Sequence, residues 1–398
     1  MSAGERAPVP DHVPAGLVHD FEWITDASIL QDPFAVWHAM HERPEIFWAT
    51  GLGGHWVVTR ADAIRELMSN PADFSNNPAG IGEKRFPLLM IPHETDPPVL
   101  QQYRNVVAKI MAPGAIRERT AQIESVLTAL IDRIAAKGEC EFVKAIAEPF
   151  PTTIFTALMG LPLEESEKFL RWNHTLLHQQ DVHLAQAGGM EIMSYLNGLI
   201  AQRRQAPQDD LVTALTQGTI DGRPLTHEEI LGYAFLLFIA GLDTVAGTLS
   251  YIAAHLAQHP DDQARLRADP SLVPTALEEF LRRYSVVVGN RRCTRDVEFR
   301  GVRMKKGDFV MASTPIANLD PQAYECPMSV RLDRNPNPHM AFGHGPHRCL
   351  GSHLARAELT AFLRVFLQRI PPFRLKAGAV LRSHTGVLGI DEIPLVWN

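Results

Sequence analysis

Apolar residues recur at helical spacing over Arg117 to Ala136, Glu164 to His178 and Ala185 to Gln205, which predicts amphipathic helices laid against a core. A further run behaves differently. Thr226 and Glu229 stand at capping-box spacing, and EILGYAFLLFIAGLDTVAGTLSYIAAHLAQH then continues without a breaker to Pro260. Its first half is apolar nearly all round, so this long helix is predicted to cross the interior. Helical spacing returns after Cys349 in CLGSHLARAELTAFLRVFLQRI. Strand signals are few. Ile46 to Thr59 reads as a hairpin about Gly51-Leu52-Gly53-Gly54, and Val297 to Met304 as a short strand. Prolines gather at Pro92 to Pro98 and Pro336 to Pro346, where they end elements and set loops. The pattern predicts a mainly α chain with small β-sheets, with no linker or repeat dividing it.

Two polar residues interrupt the long apolar helix. A buried carboxylate at Asp243 costs several kcal/mol unless it is partnered, and Thr244 is expected to turn its hydroxyl onto the carbonyl of Ala240. Two readings stay open at this point. Either Asp243 faces water or a basic partner and Thr244 bonds only its own helix, or Ala240-Gly241 opens a groove beside the pair where a small ligand sits.

The loop FGHGPHRCLG, from Phe342 to Gly351, carries its own chemistry. A thiolate ahead of a helix is favoured by free N–H groups, which Leu350 and Gly351 are placed to offer, and the glycines let backbone approach a flat ligand. Cys349 also admits a plain buried reading and a redox-sensing one. Zinc is a further reading, since His344, His347 and His353 lie close by, although paired ligand spacing is missing.

Composition narrows the class. The 398 residues are 45% hydrophobic with a net charge of -7, an acidic balance that argues against a general nucleic-acid binder. Cys140, Cys293, Cys326 and Cys349 show no repeated spacing, so no disulfide framework is expected and a reducing cytoplasm fits. The first 20 or so residues read as an irregular leader lacking the pattern of a signal peptide. The charge-free run Ile230 to Leu242 is too short for a membrane span.

The pattern Phe-Gly-x-Gly-x-His-x-Cys-x-Gly resembles the haem-binding loop of the cytochromes P-450. Ala240-Gly241-Leu242-Asp243-Thr244 resembles the oxygen-activation motif of the same family. Glu279 and Arg282 stand as its Glu-x-x-Arg pair, with Arg334 as the third, structural arginine. Similarity runs from about Phe74 to the final Pro394-Leu395-Val396-Trp397, and most closely follows the bacterial camphor-hydroxylating branch. The resemblance implies one haem-thiolate monooxygenase domain over residues 1–398, with heme b held by Cys349 as axial ligand. Such a ligand pushes electron density toward iron and favours O–O cleavage. Asp243 is then the proton-relay acid and Thr244 its hydrogen-bonding companion. Gly351 borders the cofactor, while Arg104, Arg291 and His347 hold its two propionates. Arg104 follows Asp96-Pro97-Pro98, as it does in the family.

The substrate positions implied by the resemblance are Leu88, Met90, Leu236, Ile239, Ala240, Val287, Val387 and Leu388. All are apolar. They imply a small or medium hydrophobic compound, terpenoid or norisoprenoid-like, oriented by shape. Leu88 replaces the tyrosine with which the camphor branch holds a ketone, which disfavours camphor, and Gly289 replaces an aspartate beside a propionate. His93 is expected to offer one polar contact. The chain shows no flavin or nicotinamide fingerprint and no cysteine cluster for an iron–sulfur module. Electrons are therefore expected from a separate [2Fe-2S] ferredoxin with its reductase, docking near Arg104 and Arg348. The resemblance implies a cytoplasmic monomer that binds neither membrane nor nucleic acid. A peroxide-driven peroxygenase and a non-catalytic haem sensor stay open as alternatives.

Overall fold

The helices that position the site are α1 (Val99–Ala108), α2 (Pro149–Met159), α3 (Ser166–His178), α4 (Val182–Gln205), α5 (His227–Gln258), α6 (Val273–Arg283) and α7 (Ser352–Ala361). The computed structural model describes residues 8–24, 26–78, 80–81, 88–178 and 182–397. The capping box forms as the spacing predicts. The Thr226 hydroxyl accepts from the Glu229 N–H at 3.2 Å, and the Glu229 carboxylate accepts from the Thr226 N–H at 2.7 Å. From there α5 runs 32 residues, with Tyr233, Phe235, Leu249 and Ile252 wholly buried. It is long and apolar enough to cross a membrane, but within this fold most of it is buried as the core helix.

Two glycines let α5 lie against backbone. A side chain at Gly232 would strike the carbonyl oxygen of Leu89, and one at Gly247 would strike that of Leu388. These contacts clamp α5 between the segment before α1 and the C-terminal hairpin of residues 383–390.

One six-stranded sheet holds β1 (Val18–His19), β2 (Ile46–Ala49), β3 (His55–Val58), β4 (Phe74–Ser75), β5 (Val288–Cys293) and β6 (Phe309–Ser313), in spatial order β1-β2-β3-β6-β5-β4. The predicted hairpin is β2 with β3, pairing Trp48 with Trp56. Three expectations change. Residues 297–304 form a hairpin of two three-residue strands, because Arg300 and Gly301 take φ of 50° and 80°, the left-handed pair that a tight turn needs. The leader is less irregular than expected: residues 15–17 make a helical turn and β1 pairs in parallel with β2, while residues 1–7 lie outside the described residues. The helix expected from Arg117 breaks at Arg119, so one short helix ends at Glu118 and another runs from Thr120 to Asp132.

Candidate active site

Cys349 precedes α7 rather than beginning it, since the helix starts at Ser352 with Gly351 at its N-cap. The cysteine is fixed by its N–H donating to the Phe342 carbonyl at 2.9 Å, inside a loop where Gly343 and Gly345 take φ of 71° and 70°. Gly345 is also needed for space, because a Cβ there would lie 2.6 Å from the Met68 carbonyl oxygen. The side chain of Cys349 is accessible, yet protein surrounds it closely. Burial pushes its thiol up. The Gly351 N–H and the charges of Arg104, Arg348 and Arg356 oppose that shift without cancelling it. At Gly351 a Cβ would meet only this sulfur, at 3.8 Å, so the residue borders the site without a steric demand for glycine.

The three expected carboxylate holders meet on one side of this loop. Arg104 of α1 donates to the Arg348 carbonyl at 2.7 Å, and burial lowers its pKa. His347 Nε2 lies 3.3 Å from Asp96 Oδ1. Arg291 on β5 is buried and donates through Nη1 to Asn76 Oδ1 at 2.6 Å, with burial bringing its pKa down to about 10. Sequence reading missed the layer behind them. Asn76 also donates to the His93 carbonyl at 2.6 Å, and Asp96 accepts from Ser75 Oγ at 2.5 Å. Desolvation opposes ionisation of Asp96, but donation from His347, Ser75 and the Asn76 N–H outweighs it and holds the carboxyl below its usual range. Nothing local in the sequence marks this layer, because its partners lie far apart along the chain.

His93 belongs to this cluster, not to the apolar pocket. Its ring stands edge-on to His347 at 6.5 Å, and burial with the charges of Arg291 and His347 lowers its pKa to about 4. Gly289 pairs with Ala312 across β5 and β6, and a Cβ there would lie 3.1 Å from the Ala312 carbonyl oxygen.

Along α5 a stripe stays open in an otherwise packed helix. Leu236, Ile239, Asp243 and Thr244 are partly accessible and Ala240 is exposed, while Leu237, Phe238 and Leu242 are buried. Thr244 Oγ1 donates to the Ala240 carbonyl at 3.2 Å, as expected. The groove expected at Gly241 is filled, because the Phe155 ring of α2 packs where its side chain would be. Leu88 packs beside the Gly232 end of this helix, with Met90 partly accessible. Val287 and Val387 face each other in an isolated bridge and both keep accessible surface. Leu388 does not. Its side chain is fully buried and its carbonyl rests on Gly247, so it shapes the wall without presenting a surface.

Glu279, Arg282 and Arg334 form a buried ionic knot. Arg282 makes two 2.8 Å bonds to the Glu279 carboxylate, and Arg334 Nε lies 3.0 and 2.9 Å from its two oxygens. Arg282 further binds the carbonyls of Asn318, Pro327 and Ser329, tying α6 to the chain that leads into the Cys349 loop.

A helical fold with small sheets, a cysteine loop and an acid-threonine pair on a central helix define a haem-thiolate protein class, and comparison with known proteins agrees. The family model for cytochrome P450 matches residues 27–378, and the chain belongs to the cytochrome P450 family. It is 38% identical to the probable cytochrome P450 127A1 of Sinorhizobium fredii, over 98% of this chain and 97% of that protein. It is 33% identical to the vitamin D3 dihydroxylase of Streptomyces griseolus, over 86% of this chain and 87% of that one. The crystal structure of cytochrome P450 CYP101C1 superposes with a TM-score of 0.91 at 33% identity, covering 98% of this chain and all of that one.

The enzyme class is therefore a P450 monooxygenase, with heme b ligated by a cysteine thiolate. The residues present fit that group. A thiol pushed up by burial needs a cation to hold it as thiolate, which iron supplies, and Arg104, Arg291 and His347 offer donors for two carboxylates. Among the described residues no cluster of three metal-ligating side chains occurs, so the zinc reading of this loop finds no support.

Proposed function

We propose that this chain hydroxylates a small or medium hydrophobic compound, terpenoid or norisoprenoid-like rather than camphor, with O2 and two electrons from a [2Fe-2S] ferredoxin and its reductase in the cytoplasm. The accessible stripe on α5 carries this reading, since Leu236, Ile239 and Ala240 open a wholly apolar surface next to Asp243 and Thr244. The vitamin D3 dihydroxylase among its relatives supports a lipophilic substrate class. Heme b supplies oxygen activation when bound to Cys349, converting RH, O2, two electrons and two protons to ROH and water.

The chain's own residues do the rest. Arg104, Arg291 and His347 hold the cofactor's carboxylates, while Asn76 and Asp96 keep those holders oriented. Leu236, Ile239, Ala240, Val287, Val387, Leu88 and Met90 exclude water and orient the substrate by shape. Asp243 passes protons inward, and Thr244 steadies them with its hydroxyl. Glu279, Arg282 and Arg334 hold the scaffold that carries the cysteine loop. Arg104 and Arg348 contribute positive charge to the face on which an acidic ferredoxin docks.

The test is the spectrum of the reduced, carbon-monoxide-bound protein, which thiolate ligation shifts strongly to the red, followed by a terpenoid panel scored by displacement of iron-bound water. Retention of that spectrum by Cys349→His, or a panel without a single spin-state change, would remove the reading.

A further inference from the structure

Gly241 is a notch in the buried side of α5. Ala234, Phe238, Val245 and Ile252 stand within about 60° of it around the helix, at about 100° per residue, and all four are buried. Only proline is less favoured than glycine in a helix interior, so a glycine there needs a packing reason. Phe155 of α2 supplies it. A Cβ at Gly241 would lie 2.3 Å from Cγ and 2.4 Å from Cδ1 and Cδ2 of the Phe155 ring, so the ring bears on bare helix backbone. Phe155 is itself buried, at 4% exposure.

Down the helix axis, the two other close approaches fall on the opposite side. Gly232 stands about 180° from Gly241 and Gly247 about 120°, while Leu236, Ile239 and Asp243 of the accessible stripe lie about 140–160° away. The Leu89 and Leu388 carbonyls therefore meet α5 on its pocket side, and Phe155 meets it from behind at a point between them. This is the loading of a beam held at two points and pressed at a third. The outer points are firm. Tyr233 Oη donates to the Tyr103 carbonyl at 3.1 Å, Ser250 Oγ accepts from the Ile390 N–H at 3.1 Å, and Tyr251 Oη donates to Ser383 Oγ at 2.9 Å. The middle is softer. Thr244 Oγ1 donates to the Ala240 carbonyl at 3.2 Å and Thr248 Oγ1 to the Thr244 carbonyl at 2.9 Å, and threonines that bond back by four residues loosen and bend a helix.

We propose that Phe155 is a positioning residue: its ring sets how far the turn from Ala240 to Thr244 stands into the pocket, and so both the room left for substrate and the placing of Asp243 and Thr244. The proposal rests on the reading of that turn as the wall shared by the substrate and the oxygen-side pair. Phe155 acts through α5, not on the substrate. A smaller side chain at 155 lets the turn draw back, whereas a side chain at 241 pushes it forward. The two changes carry opposite signs, which a pair that merely fills the core does not require.

The test compares the haem-loaded wild type with Phe155→Leu, Gly241→Ala and the double variant. Binding of a terpenoid panel is read from the spin-state change, and crystals read the position of the turn. In Phe155→Leu the bulky members should bind roughly tenfold tighter relative to the small ones, the weight of about one methylene of room, and product per electron should fall. Gly241→Ala should shift the size order the other way, and the double variant should return toward the wild type. All should keep the thiolate carbon-monoxide spectrum, since none touches the Cys349 loop. Phe155→Met, whose flexible chain refills irregular gaps, should show a smaller shift of the same sign as Phe155→Leu and decides the matter where that variant does not fold. The variants at 155 decide alone where Gly241→Ala does not fold. An unmoved turn with the wild-type size order in the leucine or methionine variant overturns the proposal, as do single variants at 155 and 241 that shift the panel in the same direction. Failure of the underlying reading looks different. A panel without any response in the wild type removes the substrate pocket, and unchanged product per electron in Thr244→Ala removes the oxygen-side pair, while the turn still moves in crystals of Phe155→Leu.

Discussion

Asn76 grips Arg291 from behind, its Oδ1 taking the guanidinium Nη1–H at 2.6 Å while its own amide donates to the His93 carbonyl at 2.6 Å. One side chain therefore joins the strand carrying Arg291 to the segment carrying His93 and Asp96. Asn76→Ala leaves a buried guanidinium short of an acceptor, at about 1–3 kcal/mol. Faster loss of haem to a scavenging apoprotein is expected, together with a shifted reduction potential. Haem retention equal to the wild type would show that Asn76 does not orient Arg291.

The ionic knot predicts a larger loss. Glu279→Ala strands Arg282 and Arg334 among buried groups, and breaking such a pair costs about 3–5 kcal/mol. Denaturant unfolding of the haem-loaded protein measures it, and a loss below about 1 kcal/mol would place the pair among ordinary surface bridges.

His55 is wholly buried, donates through Nδ1–H to the Gly51 carbonyl at 3.2 Å, and burial lowers its pKa from 6.5 to about 4. The folded protein then binds fewer protons than the unfolded chain between those two values. Stability is fully present above pH 6.5 and falls as pH drops toward 4, by about 3 kcal/mol in total from this residue. Unfolding free energies taken between pH 7 and 4.5 should slope accordingly, and His55→Gln should flatten that slope. An unchanged slope in the variant would assign the acid sensitivity elsewhere.

Thr244→Ala should bind substrate with the wild-type spin change yet send reducing equivalents to peroxide, because the hydroxyl that steadies the proton path is gone. The yield of product per electron reads this directly. Equal yield in variant and wild type would remove Thr244 from the chemistry.

Ala240→Leu narrows the accessible stripe on α5 without touching Asp243. Bulky members of a terpenoid panel should lose spin-state response by about tenfold or more in affinity, the weight of one or two buried methylenes with added clash. Small members should keep theirs.

Much of this was legible in the chain because the signals were local. The capping box at Thr226 and Glu229, the apolar run of α5 and the glycine-punctuated cysteine loop each lie within a short window, and all three formed as written. What escaped depended on distant partners. Phe155 fills the space beside Gly241 from 86 positions away, Asn76 meets Arg291 across 215, and neither pairing leaves a local trace. Residues 297–304 read as one short strand, and the turn at Arg300 and Gly301 that splits them into a hairpin went unread. Leu388 failed as a pocket surface because apolar identity does not say which way a side chain turns.

Gly232 and Gly247 each press a bare backbone against a carbonyl, so fifteen residues of α5, about 22 Å of helix, are pinned at both ends by contacts that involve no side chain between them. Leu236, Ile239 and Ala240 hang within that span like interchangeable tools on a fixed rail. Natural variation can exchange them, and so change diet, while the register that sets Asp243 and Thr244 stays where the two glycines put it.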